Sequence, residues 1–318
     1  SFETQRTTAA KEAEDEALQT ALASRALAAW VRAGAGVVHE NLELVRARSS
    51  PFGGTGSADR GAFATAPIPA GAVLVRVPLN PLCLRAKTWF QLAGALHAEL
   101  RRESASRFAP YLRTLPARPD SVEAWPPSSR ALLRGTSLQG MLGDEARGLA
   151  LHRKRRQSQH TRQFDDEDDA EDDAAFVRAI RLVKTRAVEL DDDDDCRGAW
   201  LLAPGVDALN DADPPAARLH LADDSADEDA ALELVAVRDI AAGEEVVHRY
   251  DDLDRSVSRC LWRYGFVPAE TESPSAAATD ASASSSFRAA LPAAALLDLD
   301  ADVLGVLAAS GALRSLDL

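Results

Sequence analysis

Two of the three tyrosines in this sequence lie close together near the end of its patterned part. Tyr250 follows an alternating apolar run, and Tyr264 stands fourteen residues later, directly before Gly265 and Phe266. A tyrosine combines an apolar ring with a hydroxyl that donates and accepts hydrogen bonds. An isolated tyrosine is most often a half-buried core residue with its hydroxyl satisfied, so the meaning of this pair depends on its surroundings.

Three further residues, two polar ones and a glycine, are suited to binding a polar ligand. Arg186 has a planar, permanently charged guanidinium that matches the geometry of a carboxylate. Asn210 donates and accepts through one amide, and Gly61 permits a close backbone approach because it has no Cβ. Each also has an ordinary explanation: a surface arginine on a helix, a turn residue and a turn glycine.

The elements that must position these residues follow from hydrophobic spacing. Residues 9–32 carry apolar side chains near every 3.6 positions and are followed by Gly34, which predicts a helix. Residues 60–78 predict two short strands around the turn at Pro69–Gly71. This half of the chain therefore combines helix and strand.

The second half of the chain repeats that mixture. Residues 87–160 predict several helices punctuated by prolines, and Phe176–Leu190 predicts another because its apolar side chains share one face. Alternation in 232–237 and in 246–250 predicts two strands on either side of a turn at 240–245. The residues of this turn are similar to those of the turn near Gly71.

The negative charge of the chain is concentrated in three short runs. The 318 residues carry a net charge of −14, and residues 165–173, 191–195 and 223–229 contain 18 of the 50 acidic side chains; without these 18, 36 basic residues face 32 acidic ones. We expect solvated loops, with docking of a basic partner as the alternative. The acidity argues against duplex nucleic acid as the main partner, although only weakly once the runs are set aside.

Composition argues against several other classes of protein. Apolar residues make up 46% of the chain, typical of a globular protein, and no apolar run reaches the roughly 18 residues of a membrane span. Three widely spaced cysteines predict neither a disulfide framework nor a metal site. They favour a reducing compartment, the cytoplasm or the nucleus, and an organelle is the alternative location. The basic run His152–Arg156 is compatible with a nuclear localisation signal, a surface that binds a partner, or an exposed helix end.

Seven short motifs then follow one another in an order that carries further information. They are Leu27–Val31; Asp59–Ala64 with Ile68–Gly71; Ala109–Leu112 with Leu115–Pro116 and Leu133–Thr136; Thr185–Ala187; Asp207–Asn210; Gly243–Tyr250; and Tyr264–Phe266. Together they resemble the SET-domain methyltransferases, in particular the branch of the Rubisco large-subunit lysine methyltransferases. The resemblance covers about residues 27–268.

This resemblance implies an α+β fold, a SET domain of small, mostly antiparallel β-sheets. It implies a helical extension at 1–26 and the SET domain at 27–268, with a helical and acidic insertion at about 80–200. A linker at 269–286 and a short helical C-terminal stub at 287–318 would follow. In that branch the C-terminal helical region binds substrate.

The resemblance also implies a function and a site. Its members transfer a methyl group from S-adenosylmethionine to a lysine, and in some cases a histidine, of a non-histone protein. The implied catalytic residues are Tyr250 and Tyr264, and Phe266 would line the substrate channel. The implied cofactor contacts are Arg60, Gly61, Ala62, Arg186, Asn210, Asp211 and Tyr250. We expect a monomer with a protein substrate, no membrane partner and no metal.

One position departs from the family pattern. The family has an Asn-His pair where this chain has Asn210 and Asp211. An acid in place of the imidazole removes a ring and adds a charge. A catalytically degenerate SET fold that serves as a binding module is therefore the alternative function. An acidic scaffold is disfavoured, because a well-patterned body remains when the acidic runs are removed.

Overall fold

The computed structural model describes residues 2–47, 60–117, 119, 121–159, 166–190, 199–222, 230–250 and 256–266. The chain divides into two units, residues 1–118 with 175–250 and residues 119–174 with 251–318. The acidic runs at 191–195 and 223–229 lie outside the described residues. The predicted linker at 269–286 and the predicted stub at 287–318 also lie outside them.

The helices are α1 (Phe2–Ala33), α2 (Leu79–Leu82), α3 (Trp89–Arg102), α4 (Ala109–Leu112), α5 (Pro127–Ala131), α6 (Ser137–Gln159), α7 (Asp166–Arg186) and α8 (Val257–Tyr264). The strands are β1 (Val37–Val38), β2 (Leu42–Ala47), β3 (Arg60–Ala64), β4 (Val73–Pro78), β5 (Leu84–Ala86), β6 (Val188–Glu189), β7 (Trp200–Leu202), β8 (Asn210–Asp211), β9 (Ala217–Ala222), β10 (Ala231–Ala236) and β11 (Glu245–His248). The predicted mixture of helix and strand is confirmed.

The strands of the first unit form two sheets. Seven strands follow the order β1-β4-β10-β9-β11-β3-β2, and β8 pairs with β11 beside them. A smaller sheet has the order β5-β7-β6. All pairs among the described strands are antiparallel except those of β11 with β8 and β9. This confirms the expected mostly antiparallel α+β architecture.

The two turns of similar sequence bond to each other. The Ile68 amide donates to the Ile240 carbonyl at 3.0 Å, and the Ile240 amide donates back to Ile68 at 2.9 Å. Gly71 and Gly243 both have a φ of +81°, which favours glycine. Consequently β3 and β4 form as predicted but do not pair with each other, because β4 pairs with β10 and β3 pairs with β11.

Helix α1 is longer than predicted, and its apolar face is only partly covered. Leu27 and Val31 are fully buried, and the Trp30 ring packs edge-on against Phe108 with centroids 6.0 Å apart. Leu18 and Leu22, which precede Leu27 in the same helix, are 57% and 49% exposed. The helix continues from Phe2 to Ala33 without an end at residue 26.

The prediction for helix α7 was wrong at both ends. The helix ends at Arg186, because residues 188–189 form β6 against β7 instead of a last helical turn. It begins at Asp166, inside the acidic run that was expected to be a loop. Carboxylates are favourable at a helix N-terminus, where they face the positive end of the macrodipole, so the run is compatible with helix.

The second unit contains the basic run as part of α6. Arg153 donates from Nε and Nη2 to both carboxylate oxygens of Asp173, at 2.8 and 2.6 Å. Elsewhere in this unit, Trp262 of α8 donates to Glu145 of α6 at 3.0 Å. Among the helices described, none is long and apolar enough to cross a membrane.

Candidate functional site

Arg186, the last residue of α7, is held by a buried aspartate. Its Nη1 donates to the main-chain carbonyl of Asp207 at 2.7 Å and lies 3.5 Å from the carboxylate Oδ2 of the same residue. The Arg186 side chain is 22% exposed, whereas that of Asp207 is 4% exposed. The guanidinium is therefore fixed where helix α7 ends, with its charge compensated from one side.

Tyr111 of α4 completes this cluster. Its hydroxyl donates to Asp207 Oδ2 at 2.8 Å, and the residue is 1% exposed. Burial raises the pKa of Asp207, although the charge of Arg186 and the hydrogen bond from Tyr111 act in the opposite direction. Burial, followed by the charge of Asp207, also raises the pKa of Tyr111 well above its ordinary value. Tyr111 is thus a neutral donor to a partly compensated carboxylate.

The sequence predictions did not include Tyr111 or Asp207 among the site residues. Both stand in the motifs that carried the resemblance, but their contact joins residues 96 positions apart. Tyr111 is one of only three tyrosines, and this scarcity is the signal that could have drawn attention to it.

Cys83 lies near the same cluster, and its thiol is unreactive. Burial raises the pKa of its thiol to about 12, with a lesser opposing effect from Arg85. The thiolate is the nucleophile and the metal ligand, so this residue supplies neither at neutral pH. In the described part of the chain, no group of three or more His, Cys, Asp or Glu side chains could hold a metal ion.

Asn210 of β8 explains why residue 61 is glycine. Its Nδ2 donates to the Arg60 carbonyl and to Glu245 Oε1, both at 2.7 Å. A Cβ on Gly61 would lie 3.1 Å from Asn210 Nδ2 and would collide with Glu245 Oε1. The space beside Gly61 is therefore filled by two protein side chains. This contact requires glycine for a reason other than the close backbone approach to the cofactor that the sequence predicted.

The orientation of the Asn210 amide follows from these two bonds. Both protons of Nδ2 face acceptors, so the carbonyl Oδ1 is turned away from Arg60 and Glu245 and can still accept. The neighbouring Ala62 is fully buried in β3, opposite Val246 of β11. A ligand contact at Ala62 would thus have to use its main chain.

Tyr250 follows β11 and is attached to the β8 segment at two points. Its amide donates to Asp211 Oδ1 at 3.0 Å, and its hydroxyl donates to the Leu209 carbonyl at 2.8 Å. Its ring lies 5.1 Å from that of His248, centroid to centroid. Tyr250 is therefore bonded to both neighbours of Asn210, Leu209 and Asp211.

The predicted residues of the first unit converge on one short stretch, residues 207–211. Arg186 contacts Asp207, and Tyr250 contacts Leu209 and Asp211. The Arg60 main-chain carbonyl contacts Asn210. Tyr264 and Phe266 belong to the second unit. Their ring centroids are 5.9 Å apart, and the Arg263 guanidinium lies over the Tyr264 ring at 5.2 Å.

This stretch offers polar groups that match an amino-acid zwitterion. Among the described residues, Arg186 Nε is buried and has no hydrogen-bond partner, so it is a charged donor that a bound carboxylate would satisfy. Asn210 Oδ1 is an acceptor suited to an ammonium group. The methionyl part of S-adenosylmethionine carries both groups, so the residues present fit this cofactor.

Comparison with known proteins identifies the fold. The family profile described as "SET domain" matches residues 59–251. The chain belongs to the SET domain family. The SET domain match contains Arg60, Arg186, Asn210 and Tyr250, whereas Tyr264 lies beyond it. Among curated proteins, none is matched by this sequence.

Three solved structures show the same SET fold. They are the SET domain of LSMT bound to lysine and AdoHcy (TM-score 0.56), Rubisco LSMT bound to AdoMet (0.56) and the SET domain of LSMT bound to methyllysine and AdoHcy (0.55). Each is 18% identical to this chain and covers 77% of it. The chain spans only 56–57% of the length of those proteins.

Proposed function

We propose that this SET domain is an S-adenosylmethionine-dependent protein methyltransferase that modifies a lysine, or alternatively a histidine, of a non-histone protein. The observation that carries the proposal is the convergence of a cation, an amide and a phenol on residues 207–211. The solved proteins of similar fold bind AdoMet, AdoHcy and lysine, which supports the same chemistry here.

Arg186 and Asn210 would hold the amino-acid end of the cofactor. Arg186 is anchored through Nη1 by Asp207, which leaves its Nε for a carboxylate. Asn210 is anchored through Nδ2, which leaves Oδ1 for the ammonium. Because each side chain is fixed by one set of bonds and offers another, little rotational freedom is lost when the ligand binds. Gly61, Ala62 and the main chain of Asp211 would complete the cofactor contacts.

Tyr250 would act on the reacting groups through its oxygen lone pairs. The hydroxyl proton is committed to the Leu209 carbonyl, so the oxygen can accept from the substrate amine or from the polarised methyl group. The bound cofactor supplies an electrophilic methyl on a positively charged sulfur. The protein's contribution is then alignment of a neutral amine for in-line attack more than acid or base strength.

Tyr264 and Phe266 would form a wall of the channel that admits the substrate side chain. Their rings lie beside each other, and the Arg263 guanidinium covers one face of Tyr264. Among the described residues of the site, none is an evident general base. We therefore expect the amine to lose its proton to water, and the rate to rise with pH until the amine is neutral.

The experiment is transfer of labelled methyl groups from S-adenosylmethionine into a lysate, followed by mass spectrometry of the modified peptide. The wild-type protein should label a discrete protein on lysine or histidine, and Tyr250→Phe should reduce the rate at least about tenfold. Full activity of Tyr250→Phe would refute the role of Tyr250. Absence of transfer from a protein that binds the cofactor would favour the binding module.

A further inference from the structure

Asp211 is the position at which this chain departs from the family pattern, and its carboxylate has a specific partner. Oδ1 accepts a hydrogen bond from the main-chain amide of Tyr250 at 3.0 Å. Both residues are half-buried. The acid is therefore engaged by the very residue proposed to contact the reacting groups.

The strand pairing explains why a side chain is needed there. Strands β8 and β11 pair in parallel, with Val247 opposite Asn210 and His248 opposite Asp211, and both strands end at that point. The Ala212 amide then donates to the His248 carbonyl at 3.2 Å, and the chain next bonds to β11 at Ala216, whose amide donates to the Val247 carbonyl at 2.9 Å. The Tyr250 amide, two residues beyond the end of β11, donates to the Asp211 carboxylate.

The second attachment of Tyr250 depends on the same segment. Its hydroxyl donates to the Leu209 carbonyl at 2.8 Å, so its amide and its phenol are bonded to positions that flank Asn210. Fixing both ends limits the residue to one orientation across the site. Loss of the amide bond would remove the attachment of the Tyr250 main chain, while that of its hydroxyl would remain.

We propose that Asp211 is a positioning residue, whose carboxylate fixes the main chain of Tyr250 and thereby the orientation of the Tyr250 hydroxyl. This inference rests on the proposed function only where it concerns turnover. It assigns the Asp211 side chain a role other than the cofactor contact implied by the family resemblance. On this account, aspartate at position 211 is compatible with an active enzyme.

The direct test is hydrogen exchange at the Tyr250 amide in the native protein without cofactor, measured by NMR. The wild-type amide should be protected, and Asp211→Ala should lower its protection by at least about tenfold, since the lost bond is to a charged acceptor. Asp211→Asn keeps an Oδ1 acceptor and should restore most of the protection. Asp213→Ala is the matched control, because this variant removes the same charge two residues away, from a side chain that pairs with Arg249.

A Tyr250 amide that exchanges in the wild-type protein as fast as an unstructured one would overturn the proposal without any variant. Protection that is equal in Asp211→Ala and wild type would overturn it as well. If Asp211→Ala does not fold, the comparison of Asp211→Asn with the wild type decides, and loss of protection in Asp211→Asn would contradict the proposal.

A kinetic cycle separates positioning from general support of the fold. Asp211→Ala should lower kcat about tenfold with little change in KM for S-adenosylmethionine, and it should have no further effect in a Tyr250→Phe background. Additive losses would show that Asp211 acts independently of Tyr250. Failure of the proposed function would appear differently, as a wild-type protein with a protected Tyr250 amide and no methyl transfer.

Discussion

Arg186 and Tyr250, the two side chains on which the proposed chemistry depends most, are held in contrasting ways. Arg186 is held by a carboxylate that is 4% exposed and that also accepts from the buried Tyr111. Tyr250 is held by one half-buried carboxylate and one main-chain carbonyl. The first support is part of the core, whereas the second lies at the end of a strand pair.

This contrast separates stability from rate. Removing one partner of a buried charge pair leaves an uncompensated charge in the core, so changes at Arg186 should affect folding and ligand affinity together. Changes at Tyr250 should affect turnover while the fold remains intact.

Arg186→Met should have the largest effect. It leaves the Asp207 carboxylate buried without its cation, and we expect a loss of about 2–3 kcal/mol in the free energy of unfolding. Affinity for S-adenosylmethionine should fall at least about a hundredfold, because a charge-assisted contact to the carboxylate is lost. Urea unfolding and calorimetry measure the two quantities.

The control is Arg178→Met in the same helix. Arg178 donates to the main-chain carbonyls of Ala117 and Pro116 at 3.0 and 3.1 Å. This variant should lose about 1 kcal/mol and should keep the cofactor affinity of the wild type. Equal losses of affinity in the two variants would remove the special role of Arg186.

Gly61→Ala should have an intermediate effect on the side of the site near Asn210. The new Cβ would displace the Glu245 carboxylate and crowd the Asn210 amide. Because a flexible side chain can move aside, we expect a loss of only about 1 kcal/mol in unfolding free energy, with a several-fold loss of cofactor affinity. Gly94→Ala, where a Cβ meets open space in α3, should be neutral or stabilising. Unchanged affinity in Gly61→Ala would contradict the role of Asn210.

Asp207→Asn should have the smallest effect, visible in the pH dependence of stability. Burial raises the pKa of Asp207, so the stability associated with its neutral form is complete below the ordinary value of 3.8 and is lost as the pH rises through the raised pKa. Asparagine stays neutral, so the melting temperature of this variant relative to the wild type should rise by a few degrees between pH 4 and pH 7. A relative fall would show that the ion pair with Arg186 outweighs burial.

Local pattern predicted the elements that carry two of the proposed site residues. The predicted helix at 176–190 contains Arg186, although the helix ends there, and the alternation in 246–250 leads to Tyr250. The bond between Tyr111 and Asp207 joins residues 96 positions apart, and no local pattern encodes such a pairing. The contacts that a Cβ at Gly61 would make were not predicted for the same reason, since Asn210 and Glu245 are distant from it in sequence.

Strand partners and charge runs show the same limit. The residues of β3 and β4 predict strands around a turn, but their partners are decided by the second turn at Ile240, far along the chain. The acidic run was expected to be a loop because like charges repel. Its residues 166–173 instead begin α7, and the helix dipole favours acidic residues in the first helical turn.

Calorimetric titration with S-adenosylmethionine measures whether the wild-type protein binds the cofactor through Arg186. We expect binding of one equivalent with a Kd of about 1–100 μM, the usual range for an enzyme and its substrate, and its loss in Arg186→Met. A folded wild-type protein that gives no binding heat at high micromolar concentration, at two temperatures, would contradict this expectation.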